Sequence, residues 1–189
     1  MVLLFFIFLG VEPEIRVGLL FPQFIAGEGE IGTLYNPAAT VYLSRQDFSF
    51  GIFGDGYLKR TDPYSGRYFQ ASGEYAAVRA VGIGGVLRWR FFWFATGKVG
   101  GGYYRGDIDR AVVDSTGRVV QEKVGRSSLG LFMAWDIYRS VGRHKIGGEF
   151  KINYLPFGGR SEKYVLQENL DPFKQVSLTG VGLSLLVCL

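Results

Sequence analysis

The sequence of 189 residues holds one cysteine, Cys188, and one histidine, His144. A lone cysteine excludes an intramolecular disulfide and any multi-cysteine metal site. A lone histidine leaves little material for histidine-based catalysis. Long hydrophobic runs are also missing. The longest, Val2 to Val11, has ten residues, against the ~20 that a spanning helix needs. No Lys/Arg run exceeds two residues and no nucleic-acid motif occurs, so the net charge of +4 does not point to a nucleic acid. It fits contact with anionic lipid headgroups, or a soluble surface with mild excess charge.

Glycine is abundant instead, at 28 residues, about twice the usual share of roughly 7%. It shows no three-residue period, which excludes collagen. Apolar residues at 48% and aromatics at 16% exclude disorder. The length suits one domain.

Residues 1–10 begin with Met1 to Leu9, the right length for the apolar core of a secretory signal, roughly 7–15 residues. No Lys or Arg precedes it. Phe8 is too large for the −3 position of a cut before Val11. The stretch reads as a signal-peptide remnant, with a buried first strand as the alternative, and residues 14–189 as one domain.

From Glu14 onward the pattern is alternation, the mark of strands with two different faces. Ile146, Phe150, Ile152 and Tyr154 alternate with Glu149, Lys151 and Asn153. Phe48, Phe50, Ile52 and Leu58 oppose Ser49, Asp55 and Lys59. Leu129, Leu131, Met133, Trp135 and Ile137 share one side, and Val181, Leu183, Leu185, Val187 and Leu189 another. No helical stripe accompanies them. The chain is therefore expected to be all-β, with strands near 14–25, 38–45, 48–60, 75–91, 94–108, 127–141, 145–157 and 174–189. Short turns alternate with long polar loops at 26–37, 61–74, 109–126 and 158–173. That arrangement predicts an eight-stranded antiparallel up-and-down barrel whose two ends meet different compartments.

One face of these strands is nearly free of charge, and the other mixes glycines with isolated charges. Eight strands leave an interior that side chains just fill, so the small and polar face belongs inside and the apolar face belongs against lipid. A closed barrel also satisfies its backbone groups in a bilayer. Trp89, Phe91, Trp93, Trp135 and Tyr138 lie near short turns, and Tyr57, Tyr75, Tyr103, Tyr104 and Tyr154 towards the long-loop end. Two aromatic bands are expected at two headgroup levels.

In architecture and alternation, residues 14–189 resemble the small eight-stranded outer-membrane barrels of Gram-negative bacteria, such as the transmembrane domain of outer-membrane protein A and outer-membrane protein X. The resemblance implies an integral protein of the bacterial outer membrane, monomeric and without cofactor, whose long loops face outwards. Lys174–Leu189 looks like the class's C-terminal signal for the barrel-assembly machinery, ending in Leu189 where an aromatic is usual. The outer membrane and its lipopolysaccharide are the implied partners.

The parity places Arg16, Asp55, Lys59, Arg88, Arg90, Lys98, Asp136, Glu149 and Lys151 in the interior. Unpaired buried charges cost several kcal/mol each, so a salt-bridge network with a basic surplus is expected. Its simplest role is to plug and specify the barrel. A narrow anion-preferring passage is the alternative that the surplus favours. Arg79, Arg105, Arg126 and Arg160, near the long loops, are candidate lipopolysaccharide contacts, because guanidinium groups pair bidentately with phosphates.

Catalysis has little support. Lipid A-modifying barrels need a serine with a histidine and a carboxylate, whereas His144 falls in a short turn with Ser140 and Asp136 on the preceding strand. Gly97 to Gly102 lacks the ending of a phosphate loop, and Asp107, Asp109 and Asp114 fit no calcium loop. The reading is a non-enzymatic membrane barrel with a plugged interior and a structural or surface-binding role. A soluble or periplasmic barrel binding a small apolar ligand is the runner-up.

Overall fold

The computed structural model describes residues 10–22, 33–45, 47–60, 75–113, 119–157 and 176–189. Residues 1–9 lie outside these ranges, as do loop 61–74 and residues 158–175. The strands are β1 (Gly10–Phe21), β2 (Leu34–Arg45), β3 (Phe48–Arg60), β4 (Tyr75–Phe92), β5 (Ala95–Val113), β6 (Val119–Val141), β7 (His144–Tyr154), β8 (Pro156–Phe157), β9 (Val176–Ser177) and β10 (Gly180–Cys188). Eight of them close a barrel in the order β1-β10-β7-β6-β5-β4-β3-β2, and β8 and β9 pair separately. Each pairing is antiparallel. The all-β, eight-stranded, up-and-down architecture is the one that the alternation predicts.

Strand β2 begins at Leu34 rather than 38 and the last barrel strand at Gly180 rather than 174; three further boundaries differ from expectation for a local reason. The first strand starts at Gly10, ahead of Glu14, since Val11, Glu12, Pro13, Glu14 and Ile15 already alternate. Strands β5 and β6 pair as far as Val113 with Val119, so most of the supposed loop 109–126 is a hairpin extension. The seventh strand stops at Tyr154. Pro156 has no N–H to donate, and the chain turns inward through Leu155, whose carbonyl accepts from the Leu178 N–H at 2.9 Å. Leu155, Phe157 and Leu178 are all buried, in one cluster with Leu20, Leu34, Tyr57, Val78 and Tyr104.

The register fixes the shape. Ile152 opposes Met133, which opposes Val99, then Leu87, Phe50, Leu43 and finally Val11 on β1. In the other direction Ile152 opposes Val181, which opposes Phe21. The circuit leaves β1 at Phe21 and returns at Val11, a stagger of ten positions. On eight strands, with ~3.3 Å rise and ~4.8 Å spacing, that stagger tilts the strands by roughly 40°. Every residue on the circuit is apolar. The outward face continues this belt, with Ile83 64%, Leu129 75% and Leu185 75% exposed.

Inside, glycines make room for rings. A Cβ at Gly82 would lie 2.2 Å from the Tyr104 ring, and one at Gly130 would lie 2.8 Å from its other edge. Gly51 stands in the same relation to Tyr42 and Gly100 to Phe132. Much of the glycine surplus is therefore packing: a narrow cylinder seats large side chains only where the facing strand has none.

Three aromatics expected in the outer bands are interior residues. Tyr57 and Tyr104 are fully buried and Tyr138 nearly so. Each shares parity with an interior charge on or beside its strand, and the lumen needs their volume. Tyr103 and Tyr154 do face outwards.

Candidate functional site

The interior is where this fold concentrates its polar chemistry. Among the described residues, the buried charged side chains are Arg16, Arg88, Lys98 and Lys151 against Glu14, Asp55, Asp136 and Glu149. Four cations meet four carboxylates, so the fully buried set has no basic surplus; half-buried at its edges are Lys59, Arg126 and Lys145 with Glu12. Part of the reason for this balance lies in β1. Beginning at Gly10, it carries Glu12 and Glu14 into the lumen, and neither was anticipated there.

Two nodes organise these groups. In the first, the Lys98 ammonium lies 2.7 Å from Glu14, 2.8 Å from Asp136 and 3.1 Å from Glu149. Arg16 donates to both oxygens of Glu149, at 2.7 and 2.9 Å, and to the Thr40 hydroxyl at 3.3 Å. Its Nε lies 3.3 Å from Glu14. The Thr96 hydroxyl donates to Asp136 at 2.9 Å. Arg88 pairs with Glu12, donates to Ser44 and Ser49, and lies 4.0 Å over the Tyr42 ring. At the mouth Lys145 reaches Glu12 at 2.6 Å; both are half-buried.

In the second node, Lys151 lies 2.7 Å from Asp55 and donates to the Tyr57 hydroxyl at 3.1 Å. Tyr57 and Tyr104 in turn donate to Asp55, at 2.9 and 3.3 Å. Asn36 donates to Asp55 and to the Gly56 carbonyl. Beyond this node comes the apolar cluster with Leu34, Leu155 and Leu178. A buried ion pair is retained only when its remaining lone pairs and protons are also met. Here hydroxyls, an amide and neighbouring rings supply those partners.

Seven of the nine interior candidates thus converge: Arg16, Asp55, Arg88, Lys98, Asp136, Glu149 and Lys151. Lys59 is half-buried near the other end of β3. Arg90 is exposed, a correction to its interior assignment. It has inward parity, but it sits at a register shift between Arg90 and Phe92, at the rim, where its N–H donates to the Asp47 carbonyl at 2.8 Å. Among the participants that sequence reasoning missed are Glu12, Glu14, Asn36, Tyr42, Tyr57 and Tyr104. The parity they share with the interior charges was the available signal.

Of the phosphate-contact candidates, Arg79 and Arg105 are exposed on the outward face of β4 and β5. Arg126 pairs with the buried Gly106 and so takes inward parity, half-buried. Arg160 lies outside the described residues. Asp136 faces Lys98 in the lumen, whereas Ser140 and His144 are exposed at the short-turn end. The three are not assembled into a triad.

No protein-family model matches this chain, and no curated protein does. Solved structures do. Ail, the attachment invasion locus protein of Yersinia pestis, is 8% identical with a TM-score of 0.50, over 94% of this chain and 93% of its own. The N-terminal β-barrel domain of Pseudomonas aeruginosa OprF is 10% identical at a TM-score of 0.48, over 95% and 96%. Neisserial surface protein A is 10% identical at 0.45, over 95% and 94%. The fold is that of the small eight-stranded barrels to which Ail belongs.

Proposed function

We propose that this chain is an integral barrel of a bacterial outer membrane, with a closed, charge-paired interior, and that it acts through its long-loop end without catalysing a reaction. The observation that carries the reading is the opposition of its two faces. The outward face is an uncharged apolar belt over roughly ten residues of each strand, the length a tilted strand needs to cross the hydrocarbon core. The inward face is ion-paired and filled by rings, with its fully buried charges balanced four against four. A soluble barrel with an apolar ligand cavity needs the reverse arrangement. An anion passage loses ground because the fully buried charges balance four against four.

The test is fractionation followed by electrophoresis of boiled and unboiled protein. An outer-membrane species whose migration changes only on heating supports the proposal; a soluble species without that shift overturns it. In planar bilayers the folded protein should give no steady conductance steps, and anion-selective steps would restore the passage.

A second role is favoured by Arg79 and Arg105. They stand exposed on neighbouring strands at the long-loop end, two positions apart in register, with the exposed Tyr103 next along β5. Guanidinium groups above an aromatic at the lipid boundary suit the phosphates of lipopolysaccharide. The barrel-assembly machinery would take β10, the strand that closes the barrel against β1, as its recognition element.

A further inference from the structure

Three connections at one end of the barrel are short. Two of them carry ordinary turn residues, Asp47 before β3 and Gly142 before β7, and Gly142 takes the left-handed φ of 61° that its turn requires. The third does not. Between β4 and β5 the chain reads Phe91-Phe92-Trp93-Phe94, with Trp93 and Phe94 as the turn itself. Nothing in turn chemistry favours these residues, and Trp93 is 78% exposed. A local choice that contradicts local preference marks a position selected for another purpose.

The rings of the turn pack on one another, continuous with the apolar belt. Phe92 and Phe94 stack with centroids 5.6 Å apart, and Trp93 meets Phe94 edge-on at 5.2 Å. The Phe94 carbonyl accepts from the Tyr138 N–H at 2.9 Å. Phe91 and Trp89 carry the apolar surface on to Leu87. Around this tip the exposed ionic side chains are mostly cationic: Arg90, Arg139 and Arg143 stand exposed, and among the described residues Asp47 is the one exposed acid at this end.

We propose that the β4–β5 turn inserts into the headgroup layer of an anionic phospholipid leaflet, with its rings below the phosphates and Arg90, Arg139 and Arg143 paired with them. The inference rests on the membrane reading above and deepens it by naming a lipid class for the short-turn end. Aromatic rings favour the boundary between headgroup and chain. Each arginine close to an anionic surface adds attraction, and its stem covers apolar area while its head reaches a phosphate.

Two single-tryptophan proteins test this in vesicles of phosphatidylcholine with ~25% phosphatidylglycerol. One keeps only Trp93 (Trp89→Phe, Trp135→Phe); the other keeps only Trp135, on the outward belt (Trp89→Phe, Trp93→Phe). Heat-dependent migration verifies that each has folded. The expected result is that lipids brominated near the headgroup remove about half or more of the Trp93 emission. Aqueous acrylamide should quench Trp93 weakly. That protection should fall in pure phosphatidylcholine and in Arg90→Gln/Arg139→Gln/Arg143→Gln. Strong acrylamide quenching of Trp93 while Trp135 is quenched by brominated lipid overturns the insertion and leaves the membrane reading standing. If neither tryptophan responds to brominated lipid, the membrane reading itself fails. Insertion that is indifferent to phosphatidylglycerol and to the three arginines overturns the anionic assignment.

Discussion

Lys98 holds the largest concentration of charge in the barrel, and replacing it by methionine isolates that contribution. Its ammonium lies within 3.1 Å of three buried carboxylates, on Glu14, Asp136 and Glu149. Methionine keeps most of the volume and removes the charge. The balanced set of fully buried charges then carries one net negative charge, and Asp136 keeps the Thr96 hydroxyl but loses its cation. Arg16 still serves Glu149 and Glu14, so the damage concentrates on Asp136. Breaking one side of a buried pair costs about 3–5 kcal/mol. Lys98→Met should therefore lower the unfolding free energy of the barrel in lipid or detergent by that much, read as a fall of the urea midpoint with the slope unchanged. Arg90→Gln, at the exposed rim, should stay within about 0.5 kcal/mol of wild type. The decisive variant is Lys98→Met/Asp136→Asn, which restores neutrality. It should recover at least about 1 kcal/mol of the single-mutant loss, a coupling that non-contacting sites do not show. A Lys98→Met protein within about 1 kcal/mol of wild type, or a double variant as unstable as the sum of its parts, refutes the network as drawn.

Other perturbations address the belt, the packing and the loops. Ile152→Arg and Leu183→Arg, diagonal neighbours on the outward face of the β7–β10 ladder, should each cost ~2–4 kcal/mol when the barrel is refolded into bilayers. A loss of folding in lipid-free buffer instead would mean those positions line a soluble core. Gly82→Val forces a branched side chain against the Tyr104 ring and should cost about 1–3 kcal/mol. Pairing it with Tyr104→Ala should cost less than the two changes added, as read from the same urea midpoints. Arg79→Gln/Arg105→Gln should leave stability unchanged and weaken lipopolysaccharide binding by roughly tenfold, the equivalent of about 1.4 kcal/mol; equal affinity by surface plasmon resonance would remove that role.

The architecture was legible because its signal is periodic and redundant. Alternation in Phe48–Leu58, Leu129–Ile137 and Ile146–Tyr154 independently indicates strands with one uncharged face, and no single residue decides the outcome. The charge balance of the interior was not, because it depends on where one strand begins. A strand taken from Glu14 leaves Glu12 outside it, and Glu14, at its first position, enters the lumen only by the parity it shares with Arg16. The tyrosines failed for a different reason. Tyr57, Tyr104 and Tyr138 were judged by nearness to strand ends, whereas an amphipathic ring follows parity as well as depth. Tyr57 shares a face with Asp55, and Tyr138 with Asp136. Arg90 shows the converse: its parity is inward, but the ladder shifts at that residue and parity no longer applies.

The lumen charges also explain how the seam chooses its register. Backbone pairing between β1 and β10 is nearly indifferent to a slip of two residues. Such a slip keeps every side chain on its own face, so the outward belt stays apolar and the ladder stays bonded. A slip of one is excluded by the faces; a slip of two is not. It would, however, move Arg16 by about 6.7 Å along the barrel. Arg16 then leaves Glu149 and Glu12 leaves Lys145. Both pairs join β1 to β7 across the seam, each over a separation of 133 residues in the chain. A hydrophobic interior of equal volume would pack the closed barrel but would resist such a slip far less. The ions therefore contribute discrimination between registers: they form only when the first strand meets the last in one alignment.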